Sequence, residues 1–150
     1  MDRRKFLGFG IAAVALAPVT LSALDFRKEK PDTWTAHTVD DAIKALYGKD
    51  VKIEESKDIT LKVPEVASNG GAIPVTIKTE INAKTVAIFQ DANPESAVAV
   101  FTVPEGGIVS YVVKIKMKAD GEITIIVEDR DGKFHSVKQK LQVAKGGCEG

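Results

Sequence analysis

Residues 59–63 read Ile-Thr-Leu-Lys-Val, and this alternation of apolar and polar side chains decides the fold class. A period of two places every second side chain on the same face of a β-strand. The pattern returns at Val75 and Ile77, and Val86 and Ile88 follow it. These stretches predict three strands, each with one buried face.

Four further strands are predicted downstream, at 96–103, 108–117, 122–128 and 133–143. Asp120-Gly121 predicts a hairpin before the sixth strand, and Asp131-Gly132 predicts a turn into the seventh. Seven short strands with turns at this spacing indicate an all-β fold, an immunoglobulin-like antiparallel β-sandwich. The cysteine pair of immunoglobulin domains is absent, so the prediction concerns the architecture alone.

A short helix is predicted ahead of the strands, over 38–48. Thr38 is a typical N-cap, Ile43 and Leu46 recur at helical spacing, and Gly48 supplies a C-terminal stop.

Composition narrows the class of protein. The chain has 150 residues, 44% hydrophobic and 28% charged, which is typical of one globular domain. It has 21 basic and 21 acidic residues, and residues 1–23 hold three of the former and one of the latter, so the remainder carries a net charge of −2. That charge argues against nucleic-acid binding. One cysteine and two distant histidines, His37 and His135, offer no metal ligand set.

The N-terminal segment predicts export. Arg3-Arg4 begins a twin-arginine pattern, and the apolar run over 9–21 is short for a membrane span. Ser22 and Ala23 offer a cleavage point. We therefore expect a signal peptide at 1–23, a domain at 24–144, an arm at 145–150, and a periplasmic location without membrane attachment.

The C-terminal arm carries the sole cysteine, Cys148. Gly146 and Gly147 precede it and Gly150 follows it, which predicts a flexible segment. Five extended residues beyond Val143 give the thiol a reach of roughly 16–18 Å.

The arm sequence Gly-Gly-Cys-Glu-Gly over 146–150 resembles the Gly-Gly-Cys-Gly-Gly arm of the SoxY family, the sulfur carriers of the periplasmic thiosulfate-oxidising (Sox) system. Glu149 is the one departure. Residues 61–75, Leu-Lys-Val-Pro-Glu-Val-Ala-Ser-Asn-Gly-Gly-Ala-Ile-Pro-Val, are similar to an early core segment of the same family. The N-terminus and the length also fit, so the resemblance covers nearly the whole chain.

The resemblance implies a carrier with no cofactor and no catalytic pocket of its own. Cys148 would hold a thiosulfate-derived adduct covalently, and Gly146, Gly147 and Gly150 would supply mobility. The implied partners are a SoxZ-like protein as a heterodimer, a SoxXA-like cytochrome that joins thiosulfate to the sulfur, a SoxB-like hydrolase that releases sulfate, and, in systems that have it, a SoxCD-like dehydrogenase.

The residues themselves leave other interpretations open. An enzyme is disfavoured because the thiol has no His or Asp within several residues. His135 falls on the same face of its strand as Val137, which predicts a buried or half-buried strand histidine rather than a catalytic base. Residues 69–71, Asn-Gly-Gly, predict a turn rather than a phosphate loop. The second hypothesis is an exported interaction module that Cys148 tethers to another chain, or to a second copy, by a disulfide.

Overall fold

The computed structural model describes residues 24–145. Within this range nine strands form two sheets. Their bounds are β1 Ile53–Glu55, β2 Ile59–Lys62, β3 Val66–Ala67, β4 Ile73–Thr79, β5 Ala83–Gln90, β6 Ala97–Thr102, β7 Val109–Ile115, β8 Gly121–Asp129 and β9 Phe134–Val143.

The larger sheet has the strand order β1-β9-β8-β5-β6, and β3 also pairs with β9. The smaller sheet has the order β2-β4-β7. All pairings are antiparallel except those of β1 and β3, which run parallel to β9. The predicted β-sandwich and its seven strands are confirmed. The two strands that the sequence did not reveal, β1 and β3, have only three and two residues, too few to show alternation.

One apolar layer lies on each side of the larger sheet. Val86 and Ile88 of β5 face the smaller sheet and join the main core. Ala87 and Phe89, the alternate residues of the same strand, pack under a helix with Ile126 of β8. Both faces of the central strands are therefore buried, which explains why four successive residues of β5, 86–89, are apolar.

The helices precede the sandwich. They are α1 Phe26–Glu29, a 3-10 helix Pro31–Trp34, and α2 Val39–Tyr47. The predicted helix is confirmed as α2: the Thr38 hydroxyl accepts a hydrogen bond from the Asp41 amide at 3.1 Å, and Gly48 ends the helix with φ of 105°. No helix in residues 24–145 is long and apolar enough to cross a membrane.

The prediction of a hairpin at Asp120-Gly121 is wrong. β7, which precedes it, pairs with β4 in the smaller sheet, whereas β8, which follows it, pairs with β5 and β9 in the larger sheet. The chain crosses between the sheets at this point. Gly121 is not among the described glycines with positive φ, although a two-residue hairpin turn of this sequence requires such an angle.

Candidate functional site

The predicted attachment residue Cys148 and the glycines Gly146, Gly147 and Gly150 lie outside the described residues. The segment that leads to them is described as far as Lys145. β9 ends at Val143, where the sequence predicted the last strand to end.

We call residues 142–144 the arm root, because the arm follows them directly. The backbone amides of Gln142 and Ala144 donate to the carbonyl oxygens of Glu65 and Ala67, each at 2.9 Å. The intervening amide, that of Val143, points the other way, as alternate residues of a strand do. It donates to the Asp120 carboxylate at 2.7 Å. Each amide of the arm root therefore has a partner.

The side chain of Asp120 accepts the hydrogen bond that a neighbouring strand would otherwise accept from Val143 of β9. The last residue pair between β8 and β9 is Gly121 with Leu141, so the ladder between these strands stops before it reaches Val143. The carboxylate of Asp120 supplies the acceptor that a longer β8 would have supplied with a carbonyl group. A hydrogen bond to an ionised acceptor is stronger than one between neutral groups.

Gly121 permits a close approach beside Asp120. A Cβ atom at this position would lie 2.5 Å from Oδ1 of Asp91 and 2.9 Å from Cε of Met117. The same Oδ1 atom accepts a hydrogen bond from the Glu122 amide at 2.7 Å. Two carboxylates, Asp91 and Asp120, thus satisfy backbone amides at the start of β8 and the end of β9.

An open cavity of about 500 Å³ lies next to the arm root. Its charged lining residues are Glu65, Asp91, Asp120, Glu122 and Lys140. Four carboxylates and one ammonium group give this surface a negative charge, which disfavours anions. Among the described residues that line this cavity there is no histidine, cysteine or serine, so they supply no thiol or hydroxyl nucleophile and no histidine base.

A second cavity, of about 410 Å³, lies at the C-terminal end of α2 and is lined in part by Tyr47, Thr85 and Glu128. Thr85 donates its single hydroxyl hydrogen to Glu128 at 3.0 Å, so the 2.7 Å contact between Tyr47 and Thr85 has Tyr47 as the donor. Burial raises the pKa of the Tyr47 phenol well above its usual value. A phenol held neutral fastens the helix to the sheet and cannot act as a base.

His135 is a half-buried strand residue, as predicted, with its side chain 20% exposed. Its Nε2 atom lies 2.8 Å from Oδ2 of Asp129. Burial acts to raise the pKa of Asp129, but hydrogen bonds from His135, Lys133 and Asp131 outweigh it and hold that pKa below its usual value. The pair closes the β8–β9 hairpin at the end of the strands remote from the arm root.

The segment 69–71 forms a turn, as predicted. Oδ1 of Asn69 accepts from the Gly71 amide at 2.8 Å, and the Asn69 carbonyl accepts from Ala72 at 3.2 Å. Among residues 24–145 no three His, Cys, Asp or Glu side chains are grouped so that they could hold a metal ion.

The sequence did not reveal the partners of the arm root. Glu65 and Ala67 contribute backbone carbonyls, which leave no signature in side-chain identity. Asp120 was assigned to a hairpin because Asp-Gly is so strong a turn signal.

Comparison with known proteins identifies the family. The family model of sulfur oxidation protein SoxY matches residues 43–148. The structure of the sulfur carrier protein SoxY from Chlorobium limicola f thiosulfatophilum is similar, with a TM-score of 0.63, 33% identity, and coverage of 70% of this chain and 94% of that one. No curated protein sequence matches the chain.

Superoxide reductases share the fold alone. A neelaredoxin from Ignicoccus hospitalis, the E23A form, matches with a TM-score of 0.53 at 13% identity, covering 65% of this chain and 98% of that one. A putative superoxide reductase from Thermotoga maritima matches with a TM-score of 0.50 at 14% identity, covering 63% and 95%. The family match, in contrast, spans more than half of the chain and includes both strand β9 and the arm cysteine. The chain belongs to the SoxY family of sulfur oxidation proteins.

Proposed function

We propose that the chain is a sulfur carrier, not an enzyme, that holds intermediates of thiosulfate oxidation covalently on Cys148. The observation that carries the proposal is the family match, which extends to residue 148 and so includes the only cysteine of the chain. The related Chlorobium protein, at 33% identity, is itself described as a sulfur carrier protein.

The proposed chemistry proceeds in two steps. The Cys148 thiol and thiosulfate form a sulfur–sulfur bond, giving a cysteine S-thiosulfonate and releasing one proton and two electrons, which a SoxXA-like cytochrome accepts. Water then cleaves the terminal sulfur–sulfur bond at a SoxB-like hydrolase, which releases sulfate and a proton and leaves a persulfide on Cys148. A SoxCD-like dehydrogenase oxidises that persulfide where such an enzyme is present.

The described part of the chain suits this role. The described lining of the cavity beside the arm root supplies no thiol, hydroxyl or imidazole group, which supports assigning the chemistry to partner enzymes. Gly146, Gly147 and Gly150 give the cysteine the freedom to enter their active sites. A SoxZ-like protein as the heterodimer partner, export by the twin-arginine route and a periplasmic location complete the proposal.

The test uses the mature chain with thiosulfate and a SoxXA-like cytochrome, followed by intact-mass measurement. The wild-type chain gains a thiosulfate-derived mass that a reductant removes, and Cys148→Ser gains none. A matched control combines Cys148→Ser with Ser110→Cys, which places one thiol on an exposed position of the rigid strand β7. We expect this control to react with a small thiol reagent but not to be loaded by the cytochrome.

Two results would contradict the proposal. One is loading of the Cys148→Ser variant. The other is a product that consists only of disulfide-linked dimer, which would favour the tethered interaction module.

A further inference from the structure

We propose that Asp120 is a positioning residue: its carboxylate fixes the arm root, so that the arm pivots beyond Ala144 and not further back along β9. The inference rests on the proposed carrier function. It concerns which residues define the fixed end of the arm.

The arm root is held from two sides. On one side lies β3, whose two residues pair with Gln142 and Val143 of β9. On the other side β8 no longer reaches the root, and Asp120 supplies the single described contact to the Val143 amide, at 2.7 Å. A two-residue strand is a weak support by itself, so the carboxylate is the second attachment that holds these residues in the sheet.

The location of the attachment sets the length of the arm. With the root fixed at Ala144, Cys148 is the fourth residue beyond the pivot, which limits the reach to about 13–14 Å. If the root detached as far as Leu141, which is buried in the core, Cys148 would be the seventh residue beyond the pivot and the limit would rise to about 23–25 Å. A longer tether lowers the effective concentration of its end at a docked partner, here by roughly a factor of two.

Asp120 is suited to this role by its own fixed position. It directly precedes Gly121, where the backbone lies so close to Asp91 that an added Cβ would be 2.5 Å from Oδ1 of Asp91. The Asp91 carboxylate in turn holds the Glu122 amide. The acceptor that fixes the arm root is therefore bonded directly to the first residue of β8, and the next residue, Glu122, is held by Asp91.

The experiment compares three variants of the mature chain: Asp120→Ala, which removes the acceptor; Asp120→Asn, which keeps an oxygen acceptor but no charge; and Glu65→Gln. Glu65 binds the root only through its backbone carbonyl, so Glu65→Gln removes a charge from the same cavity and leaves every root hydrogen bond in place. It is the matched control for a purely electrostatic effect.

The first measurement is hydrogen exchange at the amides of 142–144. We expect exchange at Val143 to be about tenfold faster in Asp120→Ala, only slightly faster in Asp120→Asn, and unchanged in Glu65→Gln. Exchange in Asp120→Ala within twofold of wild type would overturn the proposal. This readout involves no sulfur chemistry, so it is independent of whether Cys148 carries thiosulfate.

The second measurement is loading of Cys148 by a SoxXA-like cytochrome, beside the reaction of Cys148 with a neutral thiol reagent. In Asp120→Ala we expect the apparent KM of the enzymatic reaction to rise about twofold, while kcat and the reagent rate stay unchanged. Faster exchange with an unaltered enzymatic KM would show that the attachment is structural and does not position the arm. Absence of loading in the wild-type chain would instead refute the proposed function.

Discussion

Two Asp-Gly dipeptides, at 120–121 and 131–132, lie at opposite ends of strand β8 and have different structural roles. The second makes a tight hairpin between β8 and β9, and Gly132 there has φ of 80° with no atom within 4 Å of the position that a Cβ would occupy. The first makes no hairpin. Gly121 lacks a positive φ, and its missing Cβ leaves room for Asp91 and Met117.

Glycine is thus required in the two dipeptides for two different physical reasons. At 132 the reason is the backbone angle, because side chains disfavour the left-handed region. At 121 the reason is space, because three side chains approach within 3.1 Å of the place where a Cβ would lie. The two aspartates differ as well: Asp120 accepts from the arm root, whereas Asp131 donates its own amide to Asp129 within the turn.

Substitution of Gly121 should have the largest effect on stability. We expect Gly121→Ala to lower the free energy of unfolding by about 2–4 kcal/mol, because the new methyl group displaces the Asp91 carboxylate and breaks its hydrogen bond to Glu122. Gly121→Asn should lower the free energy of unfolding further, since the larger side chain meets the same atoms. Urea unfolding measures both.

The contrast between alanine and asparagine tests the explanation. If Gly121→Asn were more stable than Gly121→Ala, the backbone angle and not the space would govern this position, and the two dipeptides would be alike.

At Gly132 the order should be reversed and the effects smaller. Gly132→Ala should cost about 1–2 kcal/mol, and Gly132→Asn less, since asparagine tolerates the left-handed region. Hydrogen exchange at the arm root should be unchanged in both variants because the turn lies at the far end of β9. A change in exchange at Val143 in either variant would show that the two ends of β8 are coupled.

Much of the fold could be predicted because its signals are local. The alternation at 59–63 and at Val75 and Ile77 indicated strands that the structure confirms as β2 and β4. Thr38 and Gly48 bounded a helix that begins and ends where those residues predict. Each of these signals reflects the preference of a residue for its own backbone conformation or for one buried face.

The sheet change at 120–121 could not be predicted in this way. It depends on which distant strands pair, and the neighbours of Gly121 are Asp91 and Ala92, about 30 positions earlier in the chain. The arm root illustrates the same limit, because its partners Glu65 and Ala67 act through carbonyl oxygens that every residue possesses. Cys148 was identifiable as a site because it is the only cysteine, and its assignment to sulfur attachment stays a prediction.

The smallest expected effect concerns Asp129, which closes the second dipeptide's turn. Its carboxylate accepts from the Asp131 and Lys133 amides, each at 2.9 Å, and contacts His135 at 2.8 Å. At neutral pH we expect Asp129→Asn to cost less than about 1 kcal/mol, because the amide oxygen still accepts from the turn and only the charge is lost.

The pH dependence distinguishes this charge from the steric effect at Gly121. Since the folded protein holds the pKa of Asp129 below its unfolded value of about 4, the carboxylate stabilises the fold above that pH, and the contribution is lost as the pH falls through the folded pKa. The stability difference between wild type and Asp129→Asn should therefore shrink on acidification below pH of about 4. The stability difference between wild type and Gly121→Ala arises from a steric clash, and both chains retain Asp129. This difference should therefore not shrink through the titration of Asp129. Urea unfolding of the three chains from about pH 6 to about pH 3 makes the comparison, and a difference for Asp129→Asn that stays constant with pH would refute the electrostatic explanation of this turn.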